Sequence, residues 1–312
     1  MGGSGGSWIG RANPSRLASQ IRQTENDADS AEFKTSLAQE FGALLANFND
    51  RNIDLVRSRM DACNDALAQI SEGSIDQVFG GSVAKNTYVD GMSDIDCLTV
   101  FDGAELAGLP PSKVLERMAK CLRDQIDDVE VGHGALAVTV NFSDGMSVQM
   151  LPTVRQADGK LRVPSSRGVD EWSSINPKRF QEALTRRNQE CGGKLVPTIK
   201  LAKAINATLP EAQKLSGYHI ESLAIAAFRN YGGPKTTTDM LPKLFEDARE
   251  LVKSPIRDST GQSVHVDGYL GEAMSAKRLA ASHVLGAISK RMRNATAATN
   301  IERWRALFGV DA

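Results

Sequence analysis

Cysteine is scarce in this 312-residue chain, and the little there is has no pattern. Cys63, Cys97, Cys121 and Cys191 form no C-x-x-C pair, and no histidine stands at metal-ligand spacing from them. A zinc motif and a disulfide framework are both excluded on that count, so four reduced thiols in a buried setting are expected. Also missing is any apolar run long enough to span a bilayer, which argues against a membrane protein and for a cytoplasmic one. Charge of one sign is missing too. Lys and Arg number 37 against 38 Asp and Glu, for a net charge of −1. No whole-protein basic surface therefore recruits nucleic acid, although a local basic pocket stays open. There is no internal repeat, and the only low-complexity stretch is Met1–Ser7, Gly- and Ser-rich, which reads as a flexible linker outside the fold.

What is present divides the chain. A helix is expected from about Ala31 to Phe48. Val56, Met60, Cys63, Leu67 and Ile70 then recur at alternating steps of four and three, which sets them on one helical face. Short β-rich runs follow: Ile75–Phe79, Ile95–Phe101, Leu136–Phe142 and Ser147–Leu151, with a helix over about 112–126. Ser143-Asp-Gly-Met146 reads as the turn of a hairpin, and Pro152 is expected to stop its second strand. From Asn176 onward helical patterns dominate, over 178–190, 194–207, 217–230, 240–253, 271–294 and 299–308. The reading is an α/β (α+β) core with a mixed sheet followed by a C-terminal helical domain, with boundaries at 1–7, 8–170 and 171–312.

One constellation carries chemistry. Gly80-Gly81-Ser82 closes a strand and precedes a predicted helix, and twelve residues after Ser82 stands Asp94-Ile95-Asp96, leading into the next strand. Two glycines let backbone pass close to a ligand, and N–H groups at a helix start attract phosphate. Carboxylates at i and i+2 of a strand share one face. Two acids so close call for a cation between them, and Mg2+ (or Mn2+), a hard ion shared with substrate phosphates, suits that place. Each half alone is weak, since G-G-S usually marks a turn and D-x-D a solvated strand end. Their spacing and strand context together are far more specific.

Phe79-Gly-Gly-Ser-Val-Ala-Lys-Asn-Thr87 followed by Asp94-Ile-Asp96 resembles the polymerase-β nucleotidyltransferase signature. More narrowly the chain resembles the bacterial cGAS/DncV-like nucleotidyltransferases (CD-NTases) and their relatives cyclic GMP-AMP synthase and oligoadenylate synthase. The narrower likeness rests on Leu195-Val-Pro-Thr-Ile-Lys200, similar to a helix whose lysine reaches the donor triphosphate. It rests also on Leu215-Ser-Gly-Tyr-His-Ile-Glu-Ser222, similar to the Ser-Tyr-x-x-(Glu/Lys) segment. The resemblance covers roughly residues 50–230.

It implies an enzyme that joins nucleoside triphosphates into a cyclic or linear oligonucleotide second messenger in anti-phage defence, with a product-binding effector protein as partner. Asp94 and Asp96 would hold metal, Gly81 and Ser82 would cradle donor phosphates, Lys200 and Ser216 would grip the triphosphate tail, and Tyr218 would stack on a base. The helical domain would close the nucleotide cleft. Lys203 lies beside Lys200 on the same helix, and ordinary solvation explains either lysine equally well. A buried core tyrosine is as common as a stacking one, and His219 reads as structural.

The pattern breaks at one place. Where the family sets a third carboxylate, this chain has Gln149, in Val148-Gln-Met-Leu-Pro152. An amide offers one neutral oxygen and cannot act as general base. Three readings follow: a glutamate exchanged for its near-isosteric amide, a natural enzyme working with two acids or with Asp144 as substitute, or a nucleotide-binding module without turnover. Asp144 is more simply a turn residue. A template-independent polymerase-type transferase acting on a nucleic-acid or protein hydroxyl is the rival enzyme reading, with nucleic acid as product or primer. The near-neutral charge counts mildly against it.

Overall fold

A computed structural model describes residues 14–48, 53–70, 75–79, 87, 95–102, 106, 108–156, 159–165, 170–175, 177–256 and 267–310, with side chains except at 14–29, 53, 76–79, 95–96 and 177. The β-rich runs form one mixed sheet. Strand β1 (Ile75–Phe79) pairs antiparallel with β2 (Ile95–Phe101), and β2 pairs parallel with β5 (Ser147–Arg155). Outside β5 lie β4 (Val138–Phe142) and then β3 (Val129–His133), while β6 (Leu161–Pro164) and β7 (Trp172–Ile175) extend from the far end of β5. A parallel pair needs a crossover. Here helix α3 (Pro111–Gln125) and the β3–β4 ribbon carry the chain from β2 around to β5.

Alternation decides what each sheet face touches. Cys97 and Phe101 of β2, with Val138, Val140, Val148 and Met150, pack under α2 (Ile53–Leu67) and α3. The periodic Val56, Met60, Cys63 and Leu67 supply the α2 side of this core. Leu98 and Val100 face the other way and meet Val163, Leu151, Leu161 and Ile175. Strand β2 is therefore apolar on both faces, as central strands are. Burial of each such side chain stabilises by about 1.5–3 kcal/mol. All four cysteines are buried thiols outside any disulfide, and burial pushes the Cys63 thiol up to about 12.

A second core unites α4 (Pro177–Glu190), α5 (Leu195–Ala207), α6 (Gly217–Ala227), α7 (Thr237–Leu251), α8 (Ala276–Ala297) and α9 (Ile301–Arg305). Helix α1 (Pro14–Asn47) packs here as well, although it precedes the sheet in sequence. Phe33, Leu37 and Phe41 recur every four residues, and Phe41 meets Trp304 and Phe308 edge-on at 5.4 and 5.8 Å. Arg305 grips Glu40 with both arms, Nε and Nη2 each donating at 2.9 Å. Among the described residues no helix is long and apolar enough to cross a membrane.

Three expectations on the elements need correcting. Strand β5 runs through Pro152 to Arg155, because β4 pairs only as far as Met150 and the missing N–H breaks no ladder bond to it. Strand β3 was not expected: only Val131 of its five residues is buried, so it shows little apolar alternation. Strands β6 and β7, four residues each, are similarly too short to carry a period. The helix expected after Ser82 lies outside the described residues. The hairpin turn stands as read, with Gly145 at φ +87° and Met146 O accepting from the Phe142 N–H at 2.9 Å.

Candidate active site

The parallel pairing of β2 and β5 does the first piece of assembly. Its register makes Asp96 the Cα partner of Gln149. The antiparallel register of β4 then sets Thr139 on the other side of Gln149, and Gly132 of β3 beyond it. Residues 53 positions apart in sequence thus become neighbours on one row of the sheet, and the departure noticed in the sequence falls beside a predicted metal ligand. Gln149 is half-buried. Asp94, Gly81 and Ser82 lie outside the described residues, and Asp96 is described by its backbone alone. Among the described residues no group of three or more acids, histidines or cysteines is placed to hold a metal.

Asp144 has another occupation. Its Oδ2 accepts from Arg59 Nε and Nη2 at 2.9 and 2.7 Å, and its Oδ1 accepts from the Met146 N–H at 2.9 Å. These bonds, the backbone one foremost, hold its carboxyl below the usual aspartate range. Asp144 is a turn residue tied to α2, with Arg59 also lying 4.7 Å over the Phe142 ring.

Across from the sheet, α5 and α6 bring the other predicted residues together. Ser216 is the N-cap of α6, with Oγ accepting from the His219 N–H at 3.2 Å. This cap is why the helix starts there. Tyr218, half-buried, lays its ring against Phe180 at 4.4 Å between centroids. Lys200 is half-buried on α5.

A buried link between the two halves involves residues that were not among the predicted site residues. Lys203 Nζ donates to Glu221 Oε1 at 2.7 Å and to the Thr87 carbonyl at 3.1 Å. The Thr87 hydroxyl donates to the same Glu221 oxygen. Lys203 is 7% exposed, Glu221 1% and Thr87 0%. Thr87 ends the Phe79–Thr87 segment, so this buried clasp ties the glycine-bearing connection to α5 and α6. Gly217 admits it: a Cβ there would meet Lys203 Cε and Nζ at 3.3 Å. A signal was available in the sequence. Lys203 follows Ile199 by four on a buried helix face, and a lysine there requires an acidic partner.

Comparison with known proteins bears on the domain and the fold. The family model described as "Second Messenger Oligonucleotide or Dinucleotide Synthetase domain" matches residues 36–188. No curated protein matches the chain closely enough to count as a relative. Among solved structures, CdnC of Escherichia coli in complex with a HORMA protein aligns with a TM-score of 0.64 at 15% identity, covering 89% of this chain and 96% of that one. CdnG of Bradyrhizobium diazoefficiens in complex with GTP aligns at 0.62 and 14%, covering 82% and 89%. The 3′-deoxy-GTP-bound form of E. coli DncV aligns at 0.63 and 12%, covering 93% and 89%. At such identities the structures speak for the fold, and the family model speaks for the domain. Residues 36–188 thus match a second-messenger oligonucleotide or dinucleotide synthetase domain, and the chain has the fold of the bacterial cGAS/DncV-like nucleotidyltransferases, the CD-NTases.

Proposed function

We propose that the chain is built to join nucleoside triphosphates into a cyclic or linear oligonucleotide signal with the aid of Mg2+ or Mn2+. We propose further that the signal acts through a separate effector in anti-phage defence. The observation that carries the reading is the Asp96–Gln149 register, which sets the third position of the expected ligand trio beside the second. Asp94 and Asp96 would hold the metal, and Gln149 would offer one amide oxygen. The donor set is all oxygen, as such a hard cation prefers. When bound, the metal would supply charge neutralisation at the phosphates and lower the pKa of the attacking hydroxyl.

The chain's own residues would do the rest. Gly81 and Ser82 would approach the donor phosphates, Ser216 and Lys200 would hold the triphosphate tail, and Tyr218 would support a base. The reaction forms a bond from a ribose or deoxyribose hydroxyl oxygen to the α-phosphorus and breaks the α–β phosphoanhydride, releasing pyrophosphate. A glutamate at 149 could share the hydroxyl proton, whereas the amide cannot. Gln149 therefore leaves binding intact and removes much of the rate. It also favours a second reading, a nucleotide-binding module that works without turnover.

Turnover of radiolabelled nucleotides with Mg2+ or Mn2+ separates the two. Gln149→Glu is expected to raise product formation by roughly 10²–10⁴-fold, the usual worth of a placed acid–base group. Asp96→Ala in that background should abolish it. If the Gln149→Glu and Gln149→Asp chains bind nucleotide yet stay silent, the enzymatic reading is wrong and the binding module stands.

A further inference from the structure

Ser216 is supported from behind by a residue no motif reached. Its backbone N–H donates to the phenol oxygen of Tyr269 at 3.3 Å. The same phenol lies 2.8 Å from Nδ1 of His219. His219 has no exposed surface, and burial drives its pKa down to about 4, with Asp267 opposing that fall and Arg278 adding to it. The ring is neutral at ordinary pH. The tautomer sets which of Nδ1 and the phenol donates in that bond, and Nε2, buried without a hydrogen-bond partner among the described residues, lies 4.0 Å from Asp267 Oδ2.

The base of this relay is rigid. Asp267 Oδ2 accepts from Arg278 Nη1 at 2.8 Å and from the Ile256 N–H at 2.9 Å. Arg278, fully buried, also donates to the carbonyls of Gly271 and Val252. The short turn Asp267–Leu270 is thereby fastened to the end of α7 and the start of α8. Tyr269 stands two residues from Asp267. Its hydroxyl meets His219 and Ser216, its ring lies edge-on to His219 at 5.8 Å, and the residue as a whole is 43% exposed.

We propose that Tyr269 is a positioning residue for nucleotide binding, holding the Ser216–Gly217 turn in the orientation that meets the triphosphate. The inference rests on the reading of Ser216 as a triphosphate contact. An N-cap amide has no partner within its own helix. Fixing it through Tyr269 removes rotational freedom that the ligand would otherwise have to quench, which is what preorganisation contributes to affinity.

The test is titration of the full chain with Mg2+ and a fluorescent α,β-methylene ATP, and with its GTP counterpart. The variants are Tyr269→Phe, Ser216→Ala and the double substitution, each measured at least about 15 °C below its melting temperature so that only folded protein is read. Tyr269→Phe and Ser216→Ala should each weaken binding about fivefold, the worth of one neutral hydrogen bond. The double variant should lose less than the product of the two single losses, since part of what Tyr269 orients is the Ser216 hydroxyl. Weakening by Ser216→Ala but not by Tyr269→Phe, or losses that multiply in the double variant, overturns the role of Tyr269 alone. An unchanged Ser216→Ala overturns the reading of Ser216 and this inference with it. No binding by the parent chain overturns the nucleotide reading itself.

Discussion

Lys203→Met tests whether the clasp between the two halves has the energetic weight its burial implies. The substitution keeps the length of the side chain but takes the ammonium away from the Glu221 carboxylate, only 1% exposed, with the Thr87 hydroxyl on the same oxygen Lys203 occupied. Removing one partner of a buried pair costs about 3–5 kcal/mol, because the remaining charge has lost its counter-ion without regaining water. With an unfolding entropy of about 2.1 cal/mol/K per residue, that loss lowers the melting temperature of a chain this long by about 5–8 °C. The informative variant is the double one. Lys203→Met with Glu221→Leu leaves no charge stranded and is expected to recover most of the loss, since apolar replacement of a whole buried pair is often neutral. Calorimetry on the parent, both single variants and the double one gives the coupling directly. A Lys203→Met melt within about 1 °C of the parent would refute the reasoning. So would a double variant losing the sum of the two single losses.

Other perturbations follow from the same buried polar groups. His219 has its folded pKa lowered from 6.5 to about 4, so the unfolded chain binds the extra proton between those values. Stability from this group is complete above about pH 6.5 and is lost as pH falls toward 4, by about 3 kcal/mol at 1.36 kcal/mol per pH unit. Denaturant unfolding of parent and His219→Gln at pH 7 and 4.5 checks it: the parent's extra loss in acid should vanish in the variant. Arg278→Lys keeps the charge but cannot reach Asp267, Gly271 and Val252 together, so a loss of about 2–4 kcal/mol is expected in the same assay. Arg59→Met frees the Asp144 carboxyl at a half-exposed site and should cost about 1 kcal/mol or less while leaving nucleotide affinity unchanged. A sharp loss of affinity in that variant would reinstate Asp144 as a ligand.

Much of this protein was legible in its residues because the signals were local. Short runs of apolar and β-forming residues placed β1 and β2 at their observed bounds, steps of three and four placed α2, and helical patterns placed the helices after Pro177. Pro152 misled because a proline reads as a stop until it is known that β4 no longer pairs beside it. Phe33, Leu37 and Phe41 announce a buried helix face without saying which core receives it, and the choice of the helical half is a matter of packing.

The chemistry divides the same way. Asp94, Asp96 and the missing acid at 149 are proposed from spacing and resemblance, whereas the adjacency of 96 and 149 exists only because β2 and β5 pair in parallel at one register. The partners of Lys203 and Tyr269 were out of reach, since Glu221 and Thr87 lie 18 and 116 residues from Lys203, and Ser216 lies 53 from Tyr269. Residue type and period determine which side chains must be buried and which backbone they sit on. Which buried charge meets which partner is decided only when the two cores close, because the Coulomb and hydrogen-bond terms that pair them act over a few ångströms in space and have no period in sequence.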